Sequence, residues 1–351
     1  MQTHRPAVGA ESYGGIYATT VRPKYLTMKK QLLLIGLTLL TTFANGQPAT
    51  SPNQAKTTLF PAGVKRVIFL GDSITYGGFY VSDIEAWRRT RQPQSPLEIL
   101  NLGLASETTS GLSEPEHLVR YHFPRPDLHE RLARVLAQTK PDLVLACYGM
   151  NDGIYLPFDE ARFRAFREGI TRLHVAVEKT GGKIIHITPP VFDEVRGGHP
   201  GYAAVLDRYS AWLVAQRAVG WQVIDVHTPM QRALAAAREK NPAFAFAKDG
   251  IHPDEAGHWL LAQTILTSLG ATDVASATNA VALLADWPHG GEMLRLIHQQ
   301  QAVLKDAWLT AIGHKRPQRP GLPLPEARAQ AAALETQIQK LLGEKTGPPV
   351  P

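Results

Sequence analysis

The chain has 351 residues, of which 44% are apolar and 19% are charged, and its formal net charge is +6. This length and apolar content suit a globular protein with one large core, or one domain with an extension. Residues 1–46 hold five Lys or Arg and one acidic residue, so the remaining charge is about +2, which gives no support for a nucleic-acid-binding or membrane-surface protein.

The segment before residue 47 has the layout of a secretory signal peptide. A basic start at Met28 precedes an apolar run over residues 32–40, and small residues stand before Gln47. That run is too short for a membrane-spanning helix, which requires about 20 apolar residues. We therefore expect an exported protein, periplasmic or secreted, that is cleaved near Gly46 and has no stable insertion in a membrane.

Five short runs of β-branched and aliphatic residues alternate with helical patterns from residue 64 onwards. Each run is apolar on both faces, as buried parallel strands are. The predicted strands cover residues 64–70, 98–102, 142–148, 183–188 and 222–226. The predicted helices that follow cover residues 126–138, 159–179, 203–219, 229–239 and 255–269. This alternation predicts an α/β fold, a three-layer α/β/α sandwich around a parallel five-stranded sheet.

The character of the chain changes after residue 270. Two amphipathic helices are predicted over residues 292–312 and 326–342, separated by a proline-rich connection. We expect this helical extension to pack on the sandwich or to mediate self-association, which leaves a homo-oligomer as one alternative.

Four separated segments carry the polar residues that suit acyl transfer. They are Gly71-Asp72-Ser73-Ile74-Thr75, residues 101–109, Gly149-Met150-Asn151-Asp152 and Asp249-Gly250-Ile251-His252-Pro253. Three of them directly follow predicted strands. Because the carboxyl ends of parallel strands share one edge of a sheet, where α/β proteins bind ligands, this edge can gather them.

The residue types in these segments match the parts of a serine nucleophile site. Ser73 needs a base to become a nucleophile, and His252 is suited to that because histidine titrates near neutrality. Asp249 can accept from the imidazole N–H and fix the tautomer of His252. The backbone amides of Ser73 and Gly103, with the side-chain amide of Asn151, can donate to an oxyanion.

The four segments resemble the blocks of the SGNH/GDSL hydrolases, a family named for Ser, Gly, Asn and His. The matching residues are Ser73, Gly103, Asn151, Asp249 and His252. The resemblance covers about residues 64–270. It implies a flavodoxin-like sandwich, esterase or acyl-hydrolase activity, and neither a cofactor nor a metal. One departure is Ser106, where many members carry a second glycine three residues after the first.

The predicted organisation follows from the leader, the motifs and the C-terminal helices. In chain order it comprises a mis-assigned start (1–27), a signal peptide (28–46), a linker (47–63), the hydrolase domain (64–270) and a helical extension (271–351). Near the predicted mouth of the site, Tyr76, Glu107 and Tyr155 are candidate substrate contacts, and the alternative is that they pack within loops.

The favoured function is an exported serine esterase that removes short acyl groups, above all O-acetyl groups, from carbohydrates, as many exported members of the family do. One alternative is an acyl hydrolase of lipids or small esters. Another is a non-catalytic carbohydrate-binding protein, which is disfavoured because every catalytic position is filled. A metal-dependent phosphoesterase is disfavoured because its additional ligands usually include an Asp-x-His upstream of the first segment and a Gly-x-His downstream of the last, and neither pattern stands at those places in this sequence.

Overall fold

The computed structural model describes residues 59–60 and 63–346. The predicted start, the signal peptide and most of the linker therefore lie outside the described residues, as do residues 347–351. No helix in the described part of the chain is long and apolar enough to cross a bilayer.

Five parallel strands form one sheet in the order β2-β1-β3-β4-β5. The strands are β1 (Arg66–Gly71), β2 (Glu98–Asn101), β3 (Leu143–Cys147), β4 (Lys183–Ile187) and β5 (Gln222–Ile224). All five lie within the predicted runs or overlap them closely. The direction of winding reverses between β1 and β3, which is the switch point of a flavodoxin-like sheet and the place where ligands bind in such folds.

Helices cover both faces of this sheet. They are α1 (Ser73–Gly77), α2 (Phe79–Arg91), α3 (Pro115–Tyr121), α4 (Leu128–Thr139), α5 (Glu160–Lys179), α6 (Glu194–Gly197), α7 (Tyr202–Ala215), α8 (His227–Lys240), α9 (Glu255–Ser268), α10 (Ala280–Leu283), α11 (Gly290–Ile312) and α12 (Leu324–Leu342). Helices α2, α8 and α9 pack together, as do α4, α5 and α7. The predicted α/β sandwich with C-terminal helices is confirmed.

Helix α2 has no counterpart among the predicted helices. It buries polar and charged side chains as well as apolar ones, among them Asp83, Glu85 and Arg88. One side of α2 packs towards α9, and α11 lies against another side. A helix that is covered in this way needs no single apolar stripe, so the usual amphipathic pattern is missing from its sequence.

The C-terminal helices pack on the β2 side of the sandwich. Gln301 on α11 donates from Nε2 to the carbonyl oxygen of Ile99, 3.1 Å away, on the edge strand β2. Trp308 and Ile312 of the same helix belong to the main hydrophobic core. Helix α11 thereby satisfies a backbone group at the edge of the sheet and covers that edge from pairing with another chain.

Candidate active site

The chain turns sharply from β1 into α1 at the carboxyl edge of the sheet. A Cβ atom at Gly71 would lie 2.1 Å from Thr75 Oγ1 and 2.8 Å from the carbonyl oxygen of Cys147, so only glycine fits. Asp72 caps α1, because its Oδ1 accepts from the backbone N–H of Ile74 at 3.0 Å. Burial raises the pKa of Asp72 to about 7. The turn leaves Ser73 on the first residue of α1, half-buried beside the switch point.

The loop before α9 brings His252 and Asp249 to this serine. His252 Nε2 lies 2.8 Å from Ser73 Oγ, and His252 Nδ1 lies 2.6 Å from Asp249 Oδ2. The other carboxylate oxygen, Oδ1, accepts from the backbone N–H groups of Ile251 (2.9 Å) and His252 (2.8 Å). Partial burial favours a higher pKa for Asp249, but the hydrogen bonds from His252 and Ile251 outweigh it and the net pKa is lowered.

These hydrogen bonds define which atom can accept the proton of Ser73. Because Asp249 is ionised and accepts from Nδ1–H, the neutral imidazole of His252 presents an unprotonated Nε2 to Ser73. The side chains of His252 and Asp249 are 50% and 54% exposed, so this group is open to solvent. The three side chains predicted to work together are therefore in hydrogen-bond contact.

Asn151 lies in the turn that follows β3. Its Nδ2 donates to the carbonyl oxygen of Glu107 at 3.1 Å, and its Oδ1 accepts from the Tyr155 hydroxyl at 3.0 Å. These two contacts determine which end of the amide is the nitrogen. Nδ2 carries a second hydrogen besides the one given to Glu107, and that hydrogen is suited to an anionic substrate oxygen.

Gly103 differs from the prediction. Its backbone N–H donates to Asn101 Oδ1 at 2.9 Å, so it is already used within the protein. A Cβ atom at Gly103 would lie 2.4 Å from the backbone nitrogen of Tyr76, so the missing side chain makes room for α1 and not for a substrate. Asn101 in turn donates from Nδ2 to the carbonyl oxygen of Thr75 at 2.6 Å. Gly103 is therefore a packing residue that lets the second segment lie against α1.

Ser106 is the departure from the family pattern in the second motif segment. Its φ is 68°, a left-handed conformation that favours glycine. It lies in a turn closed by a hydrogen bond from the N–H of Glu107 to the oxygen of Leu104, at 3.2 Å. Within the described residues, its own N–H has no protein acceptor. The sequence feature that marks this position is the departure from the glycine that many family members have here.

Glu107 was predicted as a candidate substrate contact, and the structure contradicts this. Its side chain is fully buried and forms a two-pronged ion pair with Arg131, at 2.6 and 2.7 Å. It also accepts from the Tyr148 hydroxyl at 2.6 Å. Arg131 continues to the carbonyl oxygen of Leu102 at 2.9 Å. The buried side chain of Glu107 therefore anchors the loop that carries Ser106.

The two tyrosines named as candidate substrate contacts are both held by protein groups. Tyr155 is 9% exposed, and its hydroxyl orients Asn151. Tyr76 is partly buried, and its hydroxyl donates to Asp306 Oδ1 on α11 at 3.2 Å. Their role as substrate contacts stays a prediction.

A match to a family model shows which protein family this chain belongs to. The model described as the GDSL-like Lipase/Acylhydrolase family matches residues 69–260, which is more than half of the chain. The chain belongs to this family. It is a carboxylic ester hydrolase, and the matched range holds all four of the motif segments. The predicted resemblance is confirmed.

Solved structures share the fold. A gut microbial diltiazem-metabolizing enzyme is 23% identical with a TM-score of 0.51, over 59% of this chain and 47% of its own. The chain thus spans about half the length of that enzyme. A catalytic mutant of Axe2, an acetylxylan esterase from Geobacillus stearothermophilus, is 20% identical with a TM-score of 0.47, over 61% of this chain and 97% of its own.

The lipase/acylhydrolase from Enterococcus faecalis is 22% identical with a TM-score of 0.42, over 58% of this chain and 95% of its own. At these identities the likeness concerns the fold alone. No curated protein matches the chain.

The corrected role of Glu107 predicts a stability effect. Glu107→Gln leaves the buried Arg131 without its counter-charge, so the free energy of unfolding should fall by about 3–5 kcal/mol. Urea denaturation measures this. The matched control is Glu98→Gln, which removes a partly exposed partner of Arg66 and should cost about 1 kcal/mol or less. Unchanged stability of Glu107→Gln, together with a raised KM, would restore Glu107 as a substrate contact.

Proposed function

We propose that the protein is an exported serine esterase that cleaves short-acyl esters, most of all O-acetyl groups on carbohydrates. The observation that carries the proposed mechanism is the continuous hydrogen-bond chain from Ser73 Oγ through His252 to Asp249, with distances of 2.8 and 2.6 Å. A nucleophile, a base and a group that orients the base are the three parts that activated serines share.

The reaction proceeds in two acyl-transfer steps. Ser73 Oγ attacks the ester carbonyl carbon while its proton moves to His252 Nε2. The tetrahedral intermediate collapses, the ester C–O bond breaks, and the alcohol leaves with the proton from His252. Water then attacks the acyl-serine, His252 takes a proton from that water, and the acid departs as the proton returns to Ser73. Asp249 stabilises the imidazolium in both steps.

The oxyanion is held by the side-chain amide of Asn151 and the backbone N–H groups of Ser73 and Ser106. Ser106 takes the place predicted for Gly103, whose N–H is occupied by Asn101. The Ser106–Glu107 segment lies beside Asn151, because Asn151 Nδ2 donates to the carbonyl oxygen of Glu107. Donors that are already oriented before the reaction contribute most to stabilising developing charge.

The openness of the site supports the substrate class. His252 and Asp249 are about half exposed, so a bulky alcohol such as a sugar chain can lie over the site while a small acyl group faces Ser73. A long acyl chain requires apolar surface that remains covered from water along its length. An acyl hydrolase of lipids or small esters is the second candidate, and the dependence of the hydrolysis rate on acyl length distinguishes the two.

Replacement of Ser73 tests the esterase proposal. We expect the protein to hydrolyse p-nitrophenyl acetate faster than the octanoate, and to release acetate from acetylated xylan. Ser73→Ala should remove nearly all turnover because no other group can form the acyl intermediate. The control is Ser276→Ala, an exposed serine far along the chain that should leave turnover unchanged. Turnover that survives in Ser73→Ala, or that is lost on adding a chelator to the wild type, would contradict the mechanism.

The oxyanion donors can be tested by rate and by structure. Asn151→Ala should lower kcat by about 10²–10³-fold. In a crystal structure of the enzyme phosphonylated on Ser73, the phosphoryl oxygen should lie about 2.7–3.1 Å from the Ser106 nitrogen. A phosphoryl oxygen that instead contacts the Gly103 nitrogen would return the donor role to Gly103.

Export is supported by the leader-like segment over residues 28–46. Expression from Met28 in a Gram-negative host should place mature protein in the periplasm, with Gln47 as its first residue. N-terminal sequencing measures this, and a variant with Leu33 and Leu37 changed to Asp is the control that should stay in the cytoplasm. Unprocessed protein in the cytoplasm of the host that expresses the unmutated sequence would refute export.

A further inference from the structure

Side chains from outside α1 bind the backbone at the end of this helix. The carbonyl oxygen of Thr75 accepts from Asn101 Nδ2 at 2.6 Å, and that of Tyr76 accepts from Lys305 Nζ at 2.7 Å. Asn101 ends β2 and is part of the second motif segment. Lys305 lies on α11, outside the residues that match the family model. A helix outside the matched region therefore contacts the helix that carries Ser73.

Three contacts from α11 converge on Tyr76. Lys305 Nζ donates to its carbonyl oxygen and lies 3.6 Å from the centroid of its ring, within the range of a cation–π interaction. Asp306 Oδ1 accepts from the Tyr76 hydroxyl at 3.2 Å. We call Tyr76, Lys305 and Asp306 the Tyr76 clamp. It holds both the backbone and the ring of one residue.

Tyr76 and Ser73 lie on the same turn of helix. Helix α1 has only five residues, and the N–H of Tyr76 donates to the oxygen of Asp72 at 2.8 Å. So short a helix is not stable by itself, because few backbone hydrogen bonds oppose its loss of order. Tyr76 and Ser73 therefore belong to the same short element, whereas His252 lies on the separate loop before α9.

Lys305 carries a charged group that is almost entirely buried. Its side chain is 8% exposed, and removal of an ammonium group from water is unfavourable unless its partners are well placed. Elsewhere α12 is attached by a different ion pair, Arg89 with Glu335 at 2.6 Å, which contacts α2 and not α1. The two attachments provide a natural comparison, because only one of them touches the nucleophile helix.

We propose that Lys305 is a positioning residue: through the Tyr76 clamp, α11 holds α1 so that Ser73 Oγ stays in line with His252 Nε2. The inference rests on the proposed role of Ser73 as nucleophile. It makes residues 290–312 part of the working enzyme.

The test compares the chemical reactivity of Ser73 with the stability of the protein. Lys305→Met keeps the length of the side chain and removes the donor and the charge. We expect kcat for p-nitrophenyl acetate, and the rate constant for phosphonylation by an alkyl fluorophosphonate, to fall by about 10- to 100-fold, because small displacements of reacting groups have effects of this size. KM should change little.

Glu335→Gln is the matched control. It weakens the attachment of α12 and should lower the melting temperature while both rates, per folded molecule, stay at wild-type values. If Lys305→Met also loses only melting temperature, Lys305 is a structural residue and the inference is overturned.

Should Lys305→Met not fold, Asp306→Ala decides, since that side chain is 41% exposed. A reduced phosphonylation rate supports the clamp, and a wild-type rate overturns it. Wild-type protein that is not phosphonylated on Ser73 at all would instead refute the proposed function.

Discussion

The active site depends on a steric constraint at the junction of β1 and α1. Gly71 has no room for a Cβ atom, because Thr75 Oγ1 and the carbonyl oxygen of Cys147 already occupy that space. The chain can turn here only with glycine, and Asp72 then caps the helix that begins at Ser73. A looser turn would carry the serine hydroxyl away from the edge of the sheet. Every other part of the site is arranged around this fixed hydroxyl.

The second motif segment acts as the support for that turn. Asn101 binds the oxygen of Thr75 and the nitrogen of Gly103, so one side chain joins the end of β2 to α1 and to its own loop. Glu107 of the same loop forms a buried ion pair with Arg131. Each charge is neutralised by the other, and either one alone would be unfavourable in the core. The loop is thus held from two sides, and its Glu107 carbonyl oxygen accepts from Asn151, which lies in the turn after β3. Rigid support of this kind is what preorganised catalysis requires.

The sequence predicted those parts of the structure that local patterns determine. The five strands are continuous apolar runs, and Ser73, His252 and Asp249 belong to short motifs with a clear chemical logic, so both could be predicted. Helix α2 was missed, because α11 and α9 cover it and no amphipathic stripe is needed. The burial of Glu107, the use of the Gly103 amide by Asn101, and the contact of Lys305 with Tyr76 all depend on side chains that meet only after folding. Ser106 already stood out in the sequence, as a departure from the glycine of the family, but its left-handed conformation follows only from the fold.

The most direct test of the central claim is to trap the acyl-enzyme. Folded protein is mixed with excess p-nitrophenyl acetate, quenched with acid within the first turnover, digested and examined by tandem mass spectrometry. We expect an acetyl group on Ser73, formed in a burst that precedes steady turnover where deacylation is the slower step. His252→Ala should lose that adduct, while the exposed-serine variant Ser276→Ala should keep it. Steady hydrolysis by the wild type with acetyl found on a different residue, and none on Ser73 at any quench time, would contradict the role of Ser73 as nucleophile.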